Sequence, residues 1–260
     1  MTNFMQKHEE STSLWDENSA NWSTQIDNGS DQINEAFGIP HFLSLTGDIQ
    51  GKTVLDAGCG EGRSTRHLAM RGGQLTGIDI SEAMIENAIK KNAAQLYQAD
   101  FAIASCSDLS IFSENQFDVI TSFMALMDTP DLSVVLQQFY RVLKPGGKLS
   151  IMVRHPCFFT SGMSIFKSPS QQRSGLLVAD YFRATPFVER WSFSGSADVH
   201  FKVRRYPYTL SDYLQTLLRN QFKIIQVAEP RPSEELVASI PNLQFWRRHA
   251  SLYLYIAANK

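Results

Sequence analysis

The segment VLDAGCGEGRS, Val54–Ser64, is the strongest indication of how this chain folds. An apolar run that predicts a buried strand, Thr53–Ala57, leads directly into Gly58, Gly60 and Gly62, and a helical pattern follows. Glycines at this point allow a tight turn and let the backbone approach a ligand with no side chain in between. The helix start adds free N–H groups and partial positive charge, which favour an anionic part of a ligand. The segment therefore predicts a strand–turn–helix unit that binds a ligand.

Strands and short helices alternate on the carboxyl side of this unit. Further strands are predicted at Gln74–Ile80, Phe101–Ser105, Asp118–Phe123 and Lys148–Val153. Helices are predicted at Ser64–Met70, from an N-cap at Ser81 to Asn92, and from Thr129 and Pro130 to Leu143. This alternation is typical of crossover units and a parallel sheet, and fully apolar strands fit a sheet covered on both faces.

The alternation stops between Arg154 and Tyr208. This stretch holds eleven of the chain's 29 aromatic residues and more basic than acidic residues. It follows the fifth strand, where the carboxyl ends of a parallel sheet carry the ligand site, so we expect a substrate lid. The alternative is a small extra sheet whose aromatic side chains pack on each other. A helix at Thr209–Asn220 and strands at Phe222–Ala228 and Leu252–Ala258 follow.

The composition narrows the functional class. The chain has 260 residues, 43% of them hydrophobic, and a formal net charge of -2, which argues against broad, salt-driven binding of nucleic acid. Cys59, Cys106 and Cys157 are too far apart for a disulfide framework or a metal motif. The amino terminus is polar, and no apolar run approaches the roughly 18 residues of a membrane helix. We expect a cytoplasmic protein with no metal and no membrane contact.

Asp79 ends the second predicted strand, where a carboxylate can accept hydrogen bonds from the two hydroxyls of a ribose. The glycine spacing then distinguishes two cofactors. A dinucleotide motif has glycine where this chain has Arg63, and Glu61 lies inside the turn. A carboxylate would repel a pyrophosphate, whereas it is acceptable beside the ammonium and sulfonium groups of S-adenosylmethionine. The segment therefore favours S-adenosylmethionine over a nicotinamide dinucleotide.

Four segments in this order resemble the class I S-adenosylmethionine-dependent methyltransferases that act on small molecules. They are VLDAGCGEG, GIDIS with MIENA behind it, FDVITSFMALMD, and RVLKPGGKL. The resemblance covers residues 51–153 well and residues 222–258 loosely. It implies an α/β fold with a doubly wound, Rossmann-like sheet of seven strands whose last strand is antiparallel, and methyl transfer to a small-molecule acceptor by in-line displacement.

The resemblance also implies which residues bind S-adenosyl-L-methionine. Residues of the glycine turn would lie at its methionine end, Asp79 at the ribose, Ile80 and Met84 at the adenine, and Phe123 beside the transferred methyl group. The predicted cofactor-binding residues are Asp56, Gly58, Cys59, Gly60, Asp79, Ile80, Met84, Ser105, Cys106, Ser107 and Phe123.

The segment after the third strand departs from the family pattern. That position commonly has an acidic residue followed by a small or apolar one, and here the sequence is Ser105, Cys106 and Ser107. A serine hydroxyl can accept a hydrogen bond from the adenine amino group, but less strongly than a carboxylate.

Three residues are candidates for removing a proton from the acceptor. His155 follows the fifth strand directly, and histidine titrates near neutral pH, although His155-Pro156 could equally be a turn that ends the strand. Asp128, in the loop after the fourth strand, is the second candidate, and His200 is a weaker third. Basic residues of the insertion could bind an acidic substrate, or could form a solvated face: Arg154, Arg183, Arg190, Arg204 and Arg205.

We expect four parts along the chain: an amino-terminal helical cap (1–50), the cofactor-binding core (51–153), the insertion (154–208) and the end of the core (209–260). Trp15 and Trp22 are seven residues apart and lie on one helical face. Methyltransferases that resemble this chain often fold such a segment over the cofactor. The alternative is two aromatic residues packed at the sheet edge.

Other functions remain open at this point. The chain could hold the cofactor without catalysis, methylate a nucleic acid, or be a nicotinamide-dependent oxidoreductase. The tetrapeptide NPP[YF] of many DNA amino-methyltransferases is absent after strand four, where this chain has SFMA. The sequence identifies neither the acceptor, which could be acidic or aromatic, nor the oligomeric state.

Overall fold

The computed structural model describes residues 2–93, 99–170, 173–193 and 198–260, with side chains from residue 9 onward. Its strands are β1 (Thr53–Ala57), β2 (Gln74–Asp79), β3 (Ala99–Ile103), β4 (Phe117–Phe123), β5 (Leu143–Arg154), β6 (Ser164–Lys167), β7 (Arg173–Leu177), β8 (Phe187–Trp191), β9 (Phe201–Arg205), β10 (Lys223–Ala228) and β11 (Tyr253–Asn259). Its α-helices are α1 (Thr2–Asp27), α2 (Ile39–Thr46), α3 (Arg63–Ala69), α4 (Glu82–Ala93), α5 (Leu132–Val142), α6 (Leu210–Arg219), α7 (Glu234–Ser239) and α8 (Leu243–His249).

One sheet of seven strands forms the centre of the fold, in the order β10-β11-β5-β4-β1-β2-β3. The pairs among β1 to β5 are parallel, whereas β11 is antiparallel to both β5 and β10. The predicted seven-stranded sheet with an antiparallel last strand is therefore confirmed.

Helices cover both faces of this sheet, as the apolar strands require. On one face, α5 packs on β5 and α6 packs on α5 and β10, and Leu136 and Leu217 of these helices are fully buried in one core cluster. On the other face, α2 packs on β5 and β11, and Phe42 of α2, Met152 of β5 and Trp246 of α8 belong to one buried cluster. Both faces of β5 are thus covered, which leaves the carboxyl ends of the strands as the open edge where a ligand can bind.

The start of α5 differs from the prediction. The sequence suggested a cap at Thr129 with Pro130 as the first helical residue, but the helix begins at Leu132 and its cap is Asp131. The Asp131 carboxylate accepts hydrogen bonds from the backbone N–H groups of Ser133 and Val134. An aspartate satisfies these free donors and also interacts favourably with the helix dipole, so it is a stronger cap than the threonine before it.

Strand β3 begins at Ala99 and ends at Ile103, earlier than the predicted Phe101–Ser105. Its register is set by β2, since Leu75 pairs with Ala99 and Asp79 with Ile103. Ser105 therefore lies in the loop after the strand, at the same edge of the sheet as the glycine turn. The other predicted strands and helices of the central sheet are confirmed with small shifts at their ends, except that β5 begins at Leu143, five residues before the predicted Lys148.

The insertion is built from strands that the sequence did not reveal. Strands β6 and β7 form one antiparallel pair, and β8 and β9 form another. Aromatic side chains of the second pair cluster around Trp22 of α1, whose ring centroid lies 5.7 Å from that of Trp191 and 5.5 Å from that of Phe201. This part therefore contains the small extra sheet with mutually packed aromatic side chains, and the role of the insertion as a substrate lid stays a prediction.

Helix α1 joins the insertion to the central sheet. Asn18 donates a hydrogen bond from Nδ2 to the backbone oxygen of Lys202 in β9, at 2.8 Å. Toward α4, Ser81 donates a hydrogen bond from Oγ to Asp16 Oδ1, at 2.6 Å. The helix therefore spans from the strand end that carries Asp79 to the insertion. In the described ranges no helix has the length and apolarity to cross a membrane.

Candidate active site

A cavity of about 750 Å³ lies at the carboxyl edge of the sheet, between the glycine turn, α1 and the insertion. This volume is within the range of ligand-binding pockets. Ten predicted site residues line the cavity: Gly58, Cys59, Gly60, Asp79, Ile80, Met84, Ser105, Cys106, Phe123 and Asp128. Asp56, Ser107 and His155 are not among its lining residues. The structure thus brings most of the predicted residues together and leaves three outside.

Gly58 and Gly60 of the turn are required for different structural reasons. Gly58 and Gly60 both have positive φ, +76° and +55°. A Cβ at Gly58 would lie 2.3 Å from the methyl carbon of Ala125, too close for any side chain, so packing within the protein requires a glycine there. A Cβ at Gly60 would meet no atom within 4 Å, because the space in front of it is the cavity. Only Gly60 is therefore free of protein neighbours on its ligand side.

Asp79 is held at the cavity wall by the backbone. Its Oδ2 accepts a hydrogen bond from Gly60 N at 2.9 Å, and its Oδ1 accepts one from Ser81 N at 3.0 Å. Burial raises the pKa of the carboxyl above its usual value, and the two N–H groups oppose that rise. Each carboxylate oxygen can accept a second hydrogen bond, so the fixed group can still bind two hydroxyls of a ligand.

Asp56 is fully buried below the turn. Its carboxylate accepts hydrogen bonds from the hydroxyls of Ser64 and Thr65, each at 2.7 Å, and of Thr121 at 3.0 Å. These bonds connect β1 to α3 and β4. The geometry therefore gives Asp56 a role in holding the turn together, in place of the predicted contact with the cofactor.

We expect Asp56→Ala to lower the free energy of unfolding by about 2–4 kcal/mol, because three buried hydroxyls lose a charged partner. Denaturant unfolding at neutral pH would measure this loss. A variant as stable as the unaltered protein would contradict this role for Asp56.

The loop after β3 brings Ser105 and Cys106 to the cavity. Ser105 Oγ accepts a hydrogen bond from Ser107 N at 3.1 Å, so Ser107 supports the loop from outside the cavity. Burial raises the pKa of Cys106 to about 12 and that of Cys59 well above its ordinary value. Both thiols are therefore protonated near neutral pH and are suited to packing against a ligand.

Glu61 has a different environment from the one the sequence suggested. Its carboxylate is buried and forms ion pairs with Arg66, at 2.9 Å, and with Lys91. Two cations of the protein therefore balance this charge. Glu61 therefore gives no reason to favour a cationic ligand. The glycine spacing still distinguishes the turn from a dinucleotide motif.

His155 is buried and points away from the cavity. Its Nε2 contacts Glu229, and its Nδ1 accepts a hydrogen bond from Cys157 N at 3.2 Å. Burial lowers the pKa of the imidazole, and Glu229 opposes that effect. Because both ring nitrogens already have partners inside the protein, the geometry does not favour His155 as the general base. Glu229 lies 74 residues away in a loop to which the sequence assigned no function.

Asp128 belongs to a group of four charged residues in the cavity wall, which we call the ionic quartet: Asp128, Arg154, Glu189 and Arg205. Arg205 contacts Asp128 through Nη1 and Glu189 through Nε at 2.7 Å. Arg154 pairs with Glu189 at 2.5 Å. Burial raises the pKa of Asp128 to about 6 despite the nearby Arg205. The sequence indicated three of these residues and gave no reason to single out Glu189.

The other three arginines that the sequence singled out, Arg183, Arg190 and Arg204, do not line the cavity. Arg204 pairs with Glu10 at 3.0 Å, Arg183 lies 3.8 Å from Asp180, and Arg190 is exposed on β8. Since Arg154 and Arg205 are balanced by the quartet's carboxylates, the excess of basic residues is not evidence for an acidic substrate.

The amino-terminal segment contributes part of the cavity wall. Trp15 and Trp22 line the cavity, with ring centroids 5.5 Å apart. The turn between α1 and α2, residues 28–34, also lines it, and Asp31 there pairs with Arg63 at 2.7 Å. The tryptophans thus face the cavity instead of the sheet edge. Sequence reasoning missed the turn, whose glycine and asparagine were the available signal.

No cluster of metal-ligating side chains occurs in the part of the chain that the structure describes. The lining of the cavity instead divides into two parts. Gly60, Asp79 and Ser105 form one part, and Phe159, Trp246 and the ionic quartet belong to the other.

Comparison with known proteins finds a family model over the part of the chain that contains the glycine turn and Asp79. Residues 54–147 match a family model described as a methyltransferase domain. A ubiquinone biosynthesis O-methyltransferase of Xanthomonas oryzae is 33% identical over 120 residues, which are 45% of this chain and 50% of that protein. The chain therefore spans about half the length of this curated relative.

Two solved structures match over most of the chain. A provisionally named S-adenosylmethionine-dependent methyltransferase of Listeria monocytogenes is 28% identical with a TM-score of 0.69, covering 89% of this chain and 99% of that one. An S-adenosylmethionine-dependent methyltransferase of Mesorhizobium loti shares the fold, with a TM-score of 0.70 at 21% identity, covering 85% of this chain and 96% of that one. Residues 54–147 therefore form a methyltransferase domain, and the glycine turn, Asp79 and the antiparallel last strand complete the likeness of this chain to the class I S-adenosylmethionine-dependent methyltransferases, whose cofactor is S-adenosylmethionine.

Proposed function

We propose that this protein is an enzyme that transfers the methyl group of S-adenosylmethionine to a small-molecule acceptor. The observation that carries this proposal is the shared cavity. The fixed carboxylate of Asp79 and the open space at Gly60 line the same cavity as a second group of residues that includes Phe159 and Trp246. A cofactor and an acceptor can therefore lie side by side without solvent between them.

The residues present fit S-adenosylmethionine. The backbone at Gly58 and Gly60 would hold its methionine end, where a side chain at Gly60 would fill the required space. Asp79 would accept hydrogen bonds from the ribose hydroxyls, and Ile80 and Met84 would contact the adenine. Ser105 and Cys106 would lie at the adenine edge as small, neutral groups. When bound, S-adenosylmethionine supplies an electrophilic methyl group.

The remaining lining residues would position the acceptor. Phe123 and Met124, at the end of β4, lie between the glycine turn and the insertion. Phe159 stacks on Trp246 with a centroid distance of 5.0 Å, which gives the cavity a rigid apolar wall. Apolar walls remove water from the attacking atom and strengthen its few polar contacts. The insertion together with α1 would act as the cover of this site.

Asp128 is the proton acceptor in this proposal. It lines the cavity, which His155 does not. Arg205 orients the carboxylate, and burial holds its pKa near 6, so it is largely ionised at neutral pH and can take a proton from a hydroxyl. We propose O-methylation, since curated relatives are named ubiquinone biosynthesis and malonyl-[acyl-carrier protein] O-methyltransferases. A cytoplasmic location stays a prediction of the sequence.

The first test concerns cofactor binding. We expect Asp79→Ala to weaken S-adenosylmethionine binding by about 1.5–3 kcal/mol in calorimetry, the range for hydrogen bonds to a charged group. Asp48→Ala is the matched control, because Asp48 also accepts a hydrogen bond from the N–H two residues on, at Gln50, but is exposed and outside the cavity. Equal affinity in the two variants, or tighter binding of NAD than of S-adenosylmethionine, would contradict the proposal.

The second test separates an enzyme from a protein that only holds the cofactor. Incubation with S-adenosylmethionine and a panel of small hydroxyl compounds should release S-adenosylhomocysteine. Tight cofactor binding with no release in the panel, but release with DNA or RNA, would favour a nucleic-acid methyltransferase.

A further inference from the structure

The charge balance of the ionic quartet bears on which acceptors can enter. Two arginines and two carboxylates face each other there, so the quartet carries no net charge when Asp128 is ionised. The side chains of Asp128 and Arg205 are only 9% and 10% exposed, and those of Arg154 and Glu189 are 22% and 23% exposed. At such burial each arginine is balanced mainly by its protein partners and not by solvent ions.

Glu189 is the residue on which this balance depends. It accepts from Arg154 Nη1 through Oε1 and from Arg205 Nε through Oε2. The two arginines hold the pKa of this buried carboxyl below its usual value, so it stays ionised. The guanidinium of Arg154 also lies 3.9 Å from the ring centroid of Phe159, which fixes the charge against the apolar wall.

An anionic acceptor would find no free cation in this wall. To pair with Arg154 or Arg205 it would have to displace Glu189 or lie beside it as a second carboxylate, and in a largely buried wall a broken ion pair and an added like charge are both costly. Arg63, the arginine beside the glycine turn, is paired with Asp31 and Glu35. Arg173 also lines the cavity, but it is exposed, so solvent and salt screen its charge. A hydroxyl, by contrast, can donate to the carboxylates or accept from the guanidinium groups without separating them.

We propose that the ionic quartet makes the cavity selective for uncharged, largely apolar acceptors that present a hydroxyl group, and that Glu189 determines this selectivity. The inference rests on the proposed methyltransferase function and names the class of its acceptor. The selectivity is a difference between two binding affinities, because the same wall that accepts a hydroxyl excludes a carboxylate of equal size.

Two probes of nearly equal shape test the inference, 4-propylphenol and 4-propylbenzoate. At pH 7.5 the phenol is neutral and the benzoate is an anion. Calorimetry with the full-length protein saturated with S-adenosylhomocysteine should show the phenol binding at least tenfold more tightly. In Glu189→Gln the amide keeps the shape of the side chain but leaves the quartet with one excess positive charge. We expect the phenol-to-benzoate affinity ratio to fall by tenfold or more.

Glu10→Gln is the matched control, since it removes a carboxylate from an arginine pair, with Arg204, that does not line the cavity. Its affinity ratio should equal that of the unaltered protein. Asp128→Asn should move the ratio in the same direction as Glu189→Gln and provides a second variant if the first does not fold. Tighter binding of the benzoate by the unaltered protein, no binding of the phenol, or a ratio unmoved in the folded variants would overturn the inference. Failure to bind S-adenosylhomocysteine at all would instead contradict the proposed function.

Discussion

Gly60→Val is expected to reduce the affinity for S-adenosylmethionine by at least about 100-fold, or roughly 3 kcal/mol. The residue has φ +55° and no protein atom within 4 Å of the position that a Cβ would take. A valine there would extend into the cavity and fill space that the cofactor needs. Calorimetric titration with S-adenosylmethionine measures this loss directly, without knowledge of the acceptor.

Gly146→Val is the control that separates lost space from backbone strain. Gly146 also has a positive φ, +74°, and also has no atom within 4 Å of a Cβ, but it lies at the start of β5 outside the cavity. Both substitutions cost about 1–2 kcal/mol of stability through the left-handed backbone. If Gly60→Val bound the cofactor as well as Gly146→Val, the glycine would serve only the turn. Gly58→Val is not a suitable test, because its side chain would collide with Ala125.

The sequence predicted the parts of the structure that depend on local patterns. The seven strands of the central sheet are short apolar runs, and Ser81 accepts the N–H of Met84 in the way its position before α4 indicates. The cap of α5 was predicted incorrectly because Thr129 and Asp131 are both suitable cap residues. Only the hydrogen bonds of Asp131 show which one the helix uses.

The rest of the site depends on contacts between distant residues, which periodicity does not report. His155 meets Glu229 across 74 positions, and Arg205 meets Asp128 across 77. A count of basic residues therefore suggested an acidic ligand, whereas Arg154 and Arg205, the two of those arginines that line the cavity, both have carboxylate partners. The strands β6 to β9 pair with their neighbours along the chain and were missed because each is only four or five residues long. The contact of their rings with Trp22, by contrast, joins separate segments.

Asp128→Asn is expected to lower kcat by about 100-fold or more, the contribution usual for a general base. The assay would use the first hydroxyl compound found to release S-adenosylhomocysteine. The pKa of Asp128 is raised to about 6 by burial, so its ionised fraction falls as the pH drops through 6. If the ionised form accepts the proton, kcat should fall about tenfold per pH unit below 6, and this acid limb should be absent in Asp128→Asn.

His155→Gln decides between the two candidate bases in the same pH series. The ring of His155 has partners in Glu229 and Cys157 and does not line the cavity. The variant should therefore lose stability, and yet keep most of its kcat per folded molecule and the fall of kcat below pH 6. Arg205 orients both Asp128 and Glu189 from one guanidinium group. Because lysine keeps the positive charge without the fork geometry, kcat of Arg205→Lys should still fall at low pH, with the fall shifted to a different pH. An acid limb that persists in Asp128→Asn and disappears in His155→Gln would transfer the role of base to the histidine, and would require the loop that carries Glu229 to open during turnover.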